Sequence, residues 1–177
     1  RRGTAFHNIC EDYLNGVEDI IHYKEKNFLA YCMFGEMKSY LDDKIKKVVL
    51  QEQTMFSPKY KVAGRCDFSG VYGDTLAVVD FKTTTTPKKE EWIDDYFIQL
   101  GAYAMAHNYV YQTQIQSGII LMCSKDKFFQ KFEVSGKEFV RYQHAFLKKV
   151  DQYYRNCNQH PEAKDTKNEQ ISKEISH

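Results

Sequence analysis

The chain has 177 residues, 42% of them hydrophobic and 15% aromatic, which suits one domain with a real core rather than two domains or a stapled miniprotein. A formal net charge of +1 gives no overall basic character that would announce a nucleic-acid partner, and a mean hydropathy of −0.61 with no bilayer-length apolar run argues against a membrane protein. Cys10, Cys32, Cys66, Cys123 and Cys157 are odd in number and form no C-x-x-C pair. They offer neither a zinc site nor a disulfide framework, and they point to an intracellular, reducing compartment such as a bacterial or phage-infected cytoplasm or an organelle matrix. Arg1-Arg2-Gly3 is not a signal peptide, and the missing initiator Met leads us to expect residues upstream.

Residues 4 to about 15 read as a helix that Thr4 can cap, with Phe6, Ile9, Cys10, Tyr13 and Leu14 at helical spacing. A second helix is expected over 27–45, and its first half, 28–34, is apolar almost all round. That means either deep burial or a face held for a partner, with Phe28, Tyr31 and Phe34 available to stack. The period then changes. Residues 47–56 and 60–71 are rich in β-formers and broken by Ser57-Pro58, so they read as a hairpin. A third strand, 75–83, contains Leu76-Ala77-Val78-Val79, the continuous apolar run of a strand buried on both faces.

Residues 83–91 are polar, carry Pro87 and read as a loop, followed by a helix over 94–108. Strands are expected at 117–123 and 127–134, then a helix opened by the capping box Ser135 to Glu138, with Phe139, Phe146, Val150 and Tyr153 on one side. Between 125 and 155 stand six Lys and two Arg against two Asp and two Glu, which a solvated helix face explains as well as a phosphate-binding strip does. Residues 1–158 form one domain, and 159–177 are a polar, frayed tail. The order of elements predicts an α/β domain: a central mixed β-sheet of about five strands flanked by helices, with the buried third strand in the middle.

The chemistry gathers at the end of that strand. Asp80 and Lys82 are two residues apart, so both side chains leave one face while Phe81 points into the opposite layer. Hairpin pairing of 60–71 with 75–83 brings Asp67 beside Asp80. Two adjacent buried carboxylates call for a cation, and hard oxygen ligands favour Mg²⁺ or Mn²⁺. A neighbouring lysine can hold and help deprotonate a water, or stabilise charge on a phosphate. The plainer alternative is a strand end carrying an ordinary Asp–Lys salt bridge. Two further features weigh against it. Gln99 and Tyr103 lie four apart on one helix face, with Gly101 and Ala102 between them allowing close approach to a sheet or a phosphate backbone. Gly3 and His7, with Glu11 one turn beyond, mark the first helix.

In order, Gly3…His7, Gly64…Asp67, Asp80-Phe81-Lys82 and Gln99…Tyr103 match G-x-x-x-H, G-x-x-D, (D/E)-x-K and Q-x-x-x-Y. The set resembles the PD-(D/E)xK nuclease superfamily, specifically its RecB-like branch, across the first 103 residues. The D-F-K-T form is most similar to exonucleases of the mitochondrial genome-maintenance and phage type. The resemblance implies a restriction-endonuclease-like core and a metal-dependent deoxyribonuclease using one or two Mg²⁺ or Mn²⁺ ions in DNA replication, recombination or repair. It implies that His7, Asp67 and Asp80 ligate the metal with help from the Phe81 carbonyl, and that Lys82 positions the attacking water. Gln99 and Tyr103 would orient Lys82 or grip a phosphate, while Glu11 and Glu52 are further carboxylates with no assigned role, either structural or standing behind the site. Some relatives carry an iron–sulfur cluster on four cysteines. No matching cysteine group exists here, so no cluster is expected. The expected partner is single-stranded DNA, entered from an end. An endonuclease of the same superfamily, an inactive nucleic-acid-binding module and a structural protein with a coincidental D-x-K are the competing readings.

Overall fold

In the computed structural model of the chain, residues 4–17, 19–51, 54–57 and 62–159 are described, with backbone alone at 4, 54–57 and 62–64. Helix α1 (Thr4–Leu14) buries Phe6, Ile9 and Cys10 along one stripe, as their spacing demands. A five-residue helix α2 (His22–Lys26), unforeseen in the sequence, leads through Asn27 into α3 (Phe28–Lys44). Met33, Phe34, Met37 and Leu41 recur at three- and four-residue steps on α3, and all four are buried.

The expected hairpin forms, but each of its long strands is two strands. Strand β1 (Ile45–Gln51) is followed by β2 (Thr54–Ser57), and β3 (Val62–Arg65) by β4 (Phe68–Tyr72). β1 pairs antiparallel with β4 up to Gln51 opposite Phe68, and a separate ladder of β2 with β3 begins at Thr54 opposite Arg65. Gly70 is required where β1 bulges across from it, because a Cβ there would lie 2.3 Å from the Lys47 carbonyl oxygen.

Gly73, at φ +62°, turns the chain into β5 (Thr75–Thr84). A 3₁₀ turn (Glu90–Trp92) and α4 (Asp94–Tyr111) carry it across to β6 (Ser117–Ser124), which pairs parallel with β5. β7 (Phe129–Ser135) pairs antiparallel with β6, and α5 (Gly136–Gln159) closes the fold. The five-stranded mixed sheet has the order β1-β4-β5-β6-β7, so β5 is central, with Ala77, Val78 and Val79 fully buried. Helices α1 and α3 cover the face carrying Ala77, Val79, Phe81, Ile119 and Leu121. Helices α4 and α5 cover the other, with Val78, Ile120 and Met122. The small β2–β3 ladder lies against α4 rather than extending the main sheet. No helix among the described residues is long and apolar enough to cross a membrane.

Candidate active site

The alternation along β5 sends Phe81 into the α1–α3 core, where it meets the Phe6 and Phe68 rings. Asp80 and Lys82 leave by the opposite face. Asp67 lies between β3 and β4 rather than inside a continuous strand, which corrects the expectation of one strand over 60–71. The reason is visible in the hydrogen bonds. Backbone pairing of β4 with β5 stops at Phe68 opposite Val79. At the next step side chains take over: the Asp67 N–H donates to Asp80 Oδ1 at 3.3 Å, and the Phe81 N–H donates to Asp67 Oδ2 at 2.6 Å. The hairpin departs from the sheet at this point, and the two carboxylates fill the break.

Two more groups complete the cluster. Lys82 Nζ sits 2.8 Å from Asp80 Oδ2, both side chains about 15% exposed or less. From α1, His7 Nε2 lies 2.8 Å from the Phe81 carbonyl oxygen and 3.5 Å from Asp67 Oδ2. Burial pushes the Asp80 carboxyl up, and the neighbouring Asp67 charge pushes it further, to about 8 despite Lys82. Burial also works to raise Asp67, but hydrogen bonds from His7 and Asp80 outweigh it and hold Asp67 below its ordinary value. Burial would lower Lys82, yet the Asp80 charge prevails and keeps its ammonium protonated. The two carboxyls thus differ, Asp67 favouring its ionised form and Asp80 its protonated one, with the Lys82 ammonium beside them.

The remaining expected residues divide. Gln99 is half-buried on α4, on the same side as Tyr96, whose ring centroid lies 4.8 Å from Lys82 Nζ. Tyr103 is 1% exposed and shares its hydroxyl with the Cys66 thiol, next to Asp67. So deep a ring stands as a buried neighbour of Cys66, and a phosphate contact by Tyr103 remains an expectation. Gly101 gives close approach to α5, not to the sheet or a ligand, since a Cβ there would lie 3.2 Å from Gln143. The Glu11 carbonyl accepts a hydrogen bond from Gln51 Nε2 at 3.5 Å, which ties α1 to the end of β1. Gly3 and Glu52 lie outside the described residues.

Sequence reasoning passed over Tyr96. It stands three residues before Gln99 and seven before Tyr103, the spacing of one helix face, and that period was the available signal. The 28–34 segment also divides: Phe34 is 1% exposed against Tyr13, while Phe28 is 60% exposed. In the basic stretch, Lys149 pairs with Asp95 and Arg155 with Asp151, as on a solvated face.

The donor set of two carboxylates, an imidazole and a backbone carbonyl suits a hard divalent cation. As the side chains stand, no three His, Cys, Asp or Glu among the described residues are arranged to hold a metal ion. Lys82 occupies Asp80, and the Phe81 N–H occupies Asp67 Oδ2. The chemistry of the donors fits a metal, then, with Lys82 and the Phe81 amide as the groups that compete for the same oxygens.

No family model and no curated protein matches the chain. Among solved structures, the fold is similar to that of a "Putative exonuclease" from Eubacterium rectale, with TM-score 0.55 and 14% identity over 83% of this chain and 62% of that one. The chain therefore spans less than two thirds of that protein's length. A second structure, SSO0001, matches at TM-score 0.36 and 17% identity, over 81% of this chain and 74% of its own, and carries no argument. At such identities the likeness is one of fold: an α/β domain with a five-stranded mixed sheet flanked by helices, shared with a protein named as an exonuclease.

Proposed function

We propose that this protein is a metal-dependent nuclease that hydrolyses DNA phosphodiesters from free single-stranded ends. The observation that carries the reading is the meeting of Asp67, Asp80, Lys82 and His7 where the backbone ladder of β4 and β5 gives way to side chains. His7 Nε2, the Asp67 and Asp80 carboxylates and the Phe81 carbonyl would hold one or two Mg²⁺ or Mn²⁺ ions. When bound, such an ion supplies positive charge to the phosphate and acidifies a water. The chain's own residues do the positioning. Asp80 keeps the Lys82 ammonium in place, from where it donates to a water or a phosphate oxygen. The Tyr96 ring restrains Lys82 from the α4 side. His7 steers Asp67 and the Phe81 carbonyl together.

A groove of about 680 Å³ supports the single-strand preference. It lies on the α1–α3 side of β5, where Asn8, Asn27, Phe28, Thr83 and Lys125 are among its lining residues. Exposed Phe28 offers a face for an unpaired base, a contact worth roughly 1–3 kcal/mol, and Lys125 offers a charge for phosphate. Phe34, fixed in the core, has no such part.

The test uses end-labelled single- and double-stranded oligonucleotides with Mg²⁺, Mn²⁺ or EDTA, beside a covalently closed single-stranded circle. Metal-dependent loss of the linear strand alone is the expected result. Full activity in excess EDTA would remove the metal from the proposal, and equal rates on line and circle would replace the exonuclease with an endonuclease.

A further inference from the structure

The 3₁₀ turn before α4 presents the chain's single tryptophan, Trp92, 61% exposed. The segment that carries it is held firmly. The Lys88 N–H donates to Gln130 Oε1 at 2.9 Å, and Gln130 Nε2 donates back to the Lys88 carbonyl at 2.8 Å, so one side-chain amide on β7 pins the loop like a strand partner. Lys89 Nζ stands 5.4 Å from the indole centroid. Four residues after Trp92, in the first turn of α4, comes Tyr96, the ring that faces Lys82. An exposed indole with a lysine beside it therefore stands four residues ahead of the ring that meets Lys82.

The surrounding charges narrow what it can take. Asp94 accepts from the Tyr142 hydroxyl at 2.8 Å and Asp95 pairs with Lys149 at 3.3 Å, while Glu90 and Glu91 stand exposed within the turn itself. Those two carboxylates disfavour a phosphate close to them. What suits the site is the flat face of a base, with the strand's phosphate kept on the Lys89 side. We infer that Trp92 is a stacking platform for an unpaired nucleobase of the strand held at the Asp80–Lys82 site, with Lys89 contacting the neighbouring phosphate. The inference rests on the nucleic-acid reading of that site, and adds a second base contact on the α4 side, away from the groove at Phe28.

A lone tryptophan lets the contact be read directly. The full chain in EDTA is titrated with a labelled oligothymidylate and with an abasic deoxyribose-phosphate oligomer of equal length, following label anisotropy for binding and tryptophan emission for stacking. The thymidylate is expected to change the emission and the abasic strand to leave it alone. Trp92→Ala is expected to weaken thymidylate binding on the order of ten-fold, from stacking of roughly 1–3 kcal/mol per base, and to raise KM with little change in kcat. Trp92→Phe retains most of the affinity, and thermal melts of both variants match the parent because the ring is exposed. Unchanged emission at saturation, equal responses to both oligomers, or binding of neither overturns the inference. If emission responds but no metal supports cleavage, the nuclease reading falls and the platform stands. If cleavage proceeds and Trp92→Ala leaves KM unaltered, the platform falls and the nuclease reading stands.

Discussion

On one face of β5, Ala77, Val79 and Phe81 are at most 2% exposed among the side chains of α1, α3 and the neighbouring strands. On the other, Val78 is just as buried, but the next two positions are Asp80 and Lys82. The same ten-residue strand thus anchors the core on one side and carries charge on the other, a single pleat apart. The charged face is tolerated because its groups satisfy each other. Among the described residues no buried side-chain nitrogen or oxygen lacks a partner. Stability and chemistry are therefore separable by substitution on alternate residues.

The largest separation is expected from Asp80→Asn, which should cut cleavage by at least about 10³-fold by removing a charged donor of the proposed metal site. The fold should survive, because an amide is spared both the burial cost and the repulsion from Asp67 that together lift the Asp80 carboxyl to about 8. Circular dichroism melts beside oligonucleotide cleavage measure both halves. A collapse of the melting temperature would show that the charged face is structural after all.

Phe81→Ala should do the opposite. Emptying a ring site in the α1–α3 core is expected to cost about 3–5 kcal/mol in urea unfolding, while the backbone carbonyl that faces His7 remains. Equal losses of stability from Phe81→Ala and Asp80→Asn would erase the distinction between the faces.

Lys82→Ala probes the charged face more finely. Turnover should fall on the order of 10²-fold with DNA affinity within a few-fold if, as proposed, the ammonium beside Asp80 acts on the reacting atoms rather than on the strand as a whole. Affinity falling in step with the rate would make Lys82 an ordinary phosphate contact.

The smallest effect concerns the polar pairing that lets α4 dock on this face. His107 is 1% exposed, bonded to Ser69 Oγ through Nε2 at 3.1 Å and to Thr113 Oγ1 through Nδ1 at 2.8 Å. Thr113 spends its proton on Asn108, so His107 donates from Nδ1 and accepts from Ser69 at Nε2. Burial holds the imidazole below its ordinary 6.5. The unfolded chain then binds the proton more readily than the fold, so stability is full above about 6.5 and is lost as pH falls below it. Urea melts at neutral and mildly acidic pH should show this loss in the parent and a smaller one in His107→Gln. The difference between the two isolates His107 from Asp80, which titrates with the opposite sign.

Much of the fold was legible in local pattern. The apolar run 76–79 reads as a central strand because only a strand covered on both faces tolerates it, and the i, i+3, i+4 stripes of α1 and α3 follow from the same need for burial. The convergence of Asp67, Asp80 and Lys82 was legible too, from a hairpin and a two-residue spacing. The break at Asp67 was not. There the Asp67 carboxylate, between β3 and β4, and the Asp80 carboxylate on β5 each take a backbone N–H across the gap, and no propensity encodes that exchange. Tyr103 read as a site residue and is buried, whereas Tyr96 escaped notice and meets Lys82. Both have the right helical period, and only the depth at which α4 docks distinguishes them.

Residues 28–34 mark the division most sharply. Their sequence is apolar throughout and determines a helix with something to bury, but it does not rank Phe28 against Phe34. Tertiary structure does: Phe34 faces α1, with the Tyr13 ring 5.1 Å away, while Phe28 begins the helix beside an open groove. Composition and spacing determine which side chains must leave water. Where each element ends against its neighbours decides which of them do, because burial is a property of the packed surface and not of the residue.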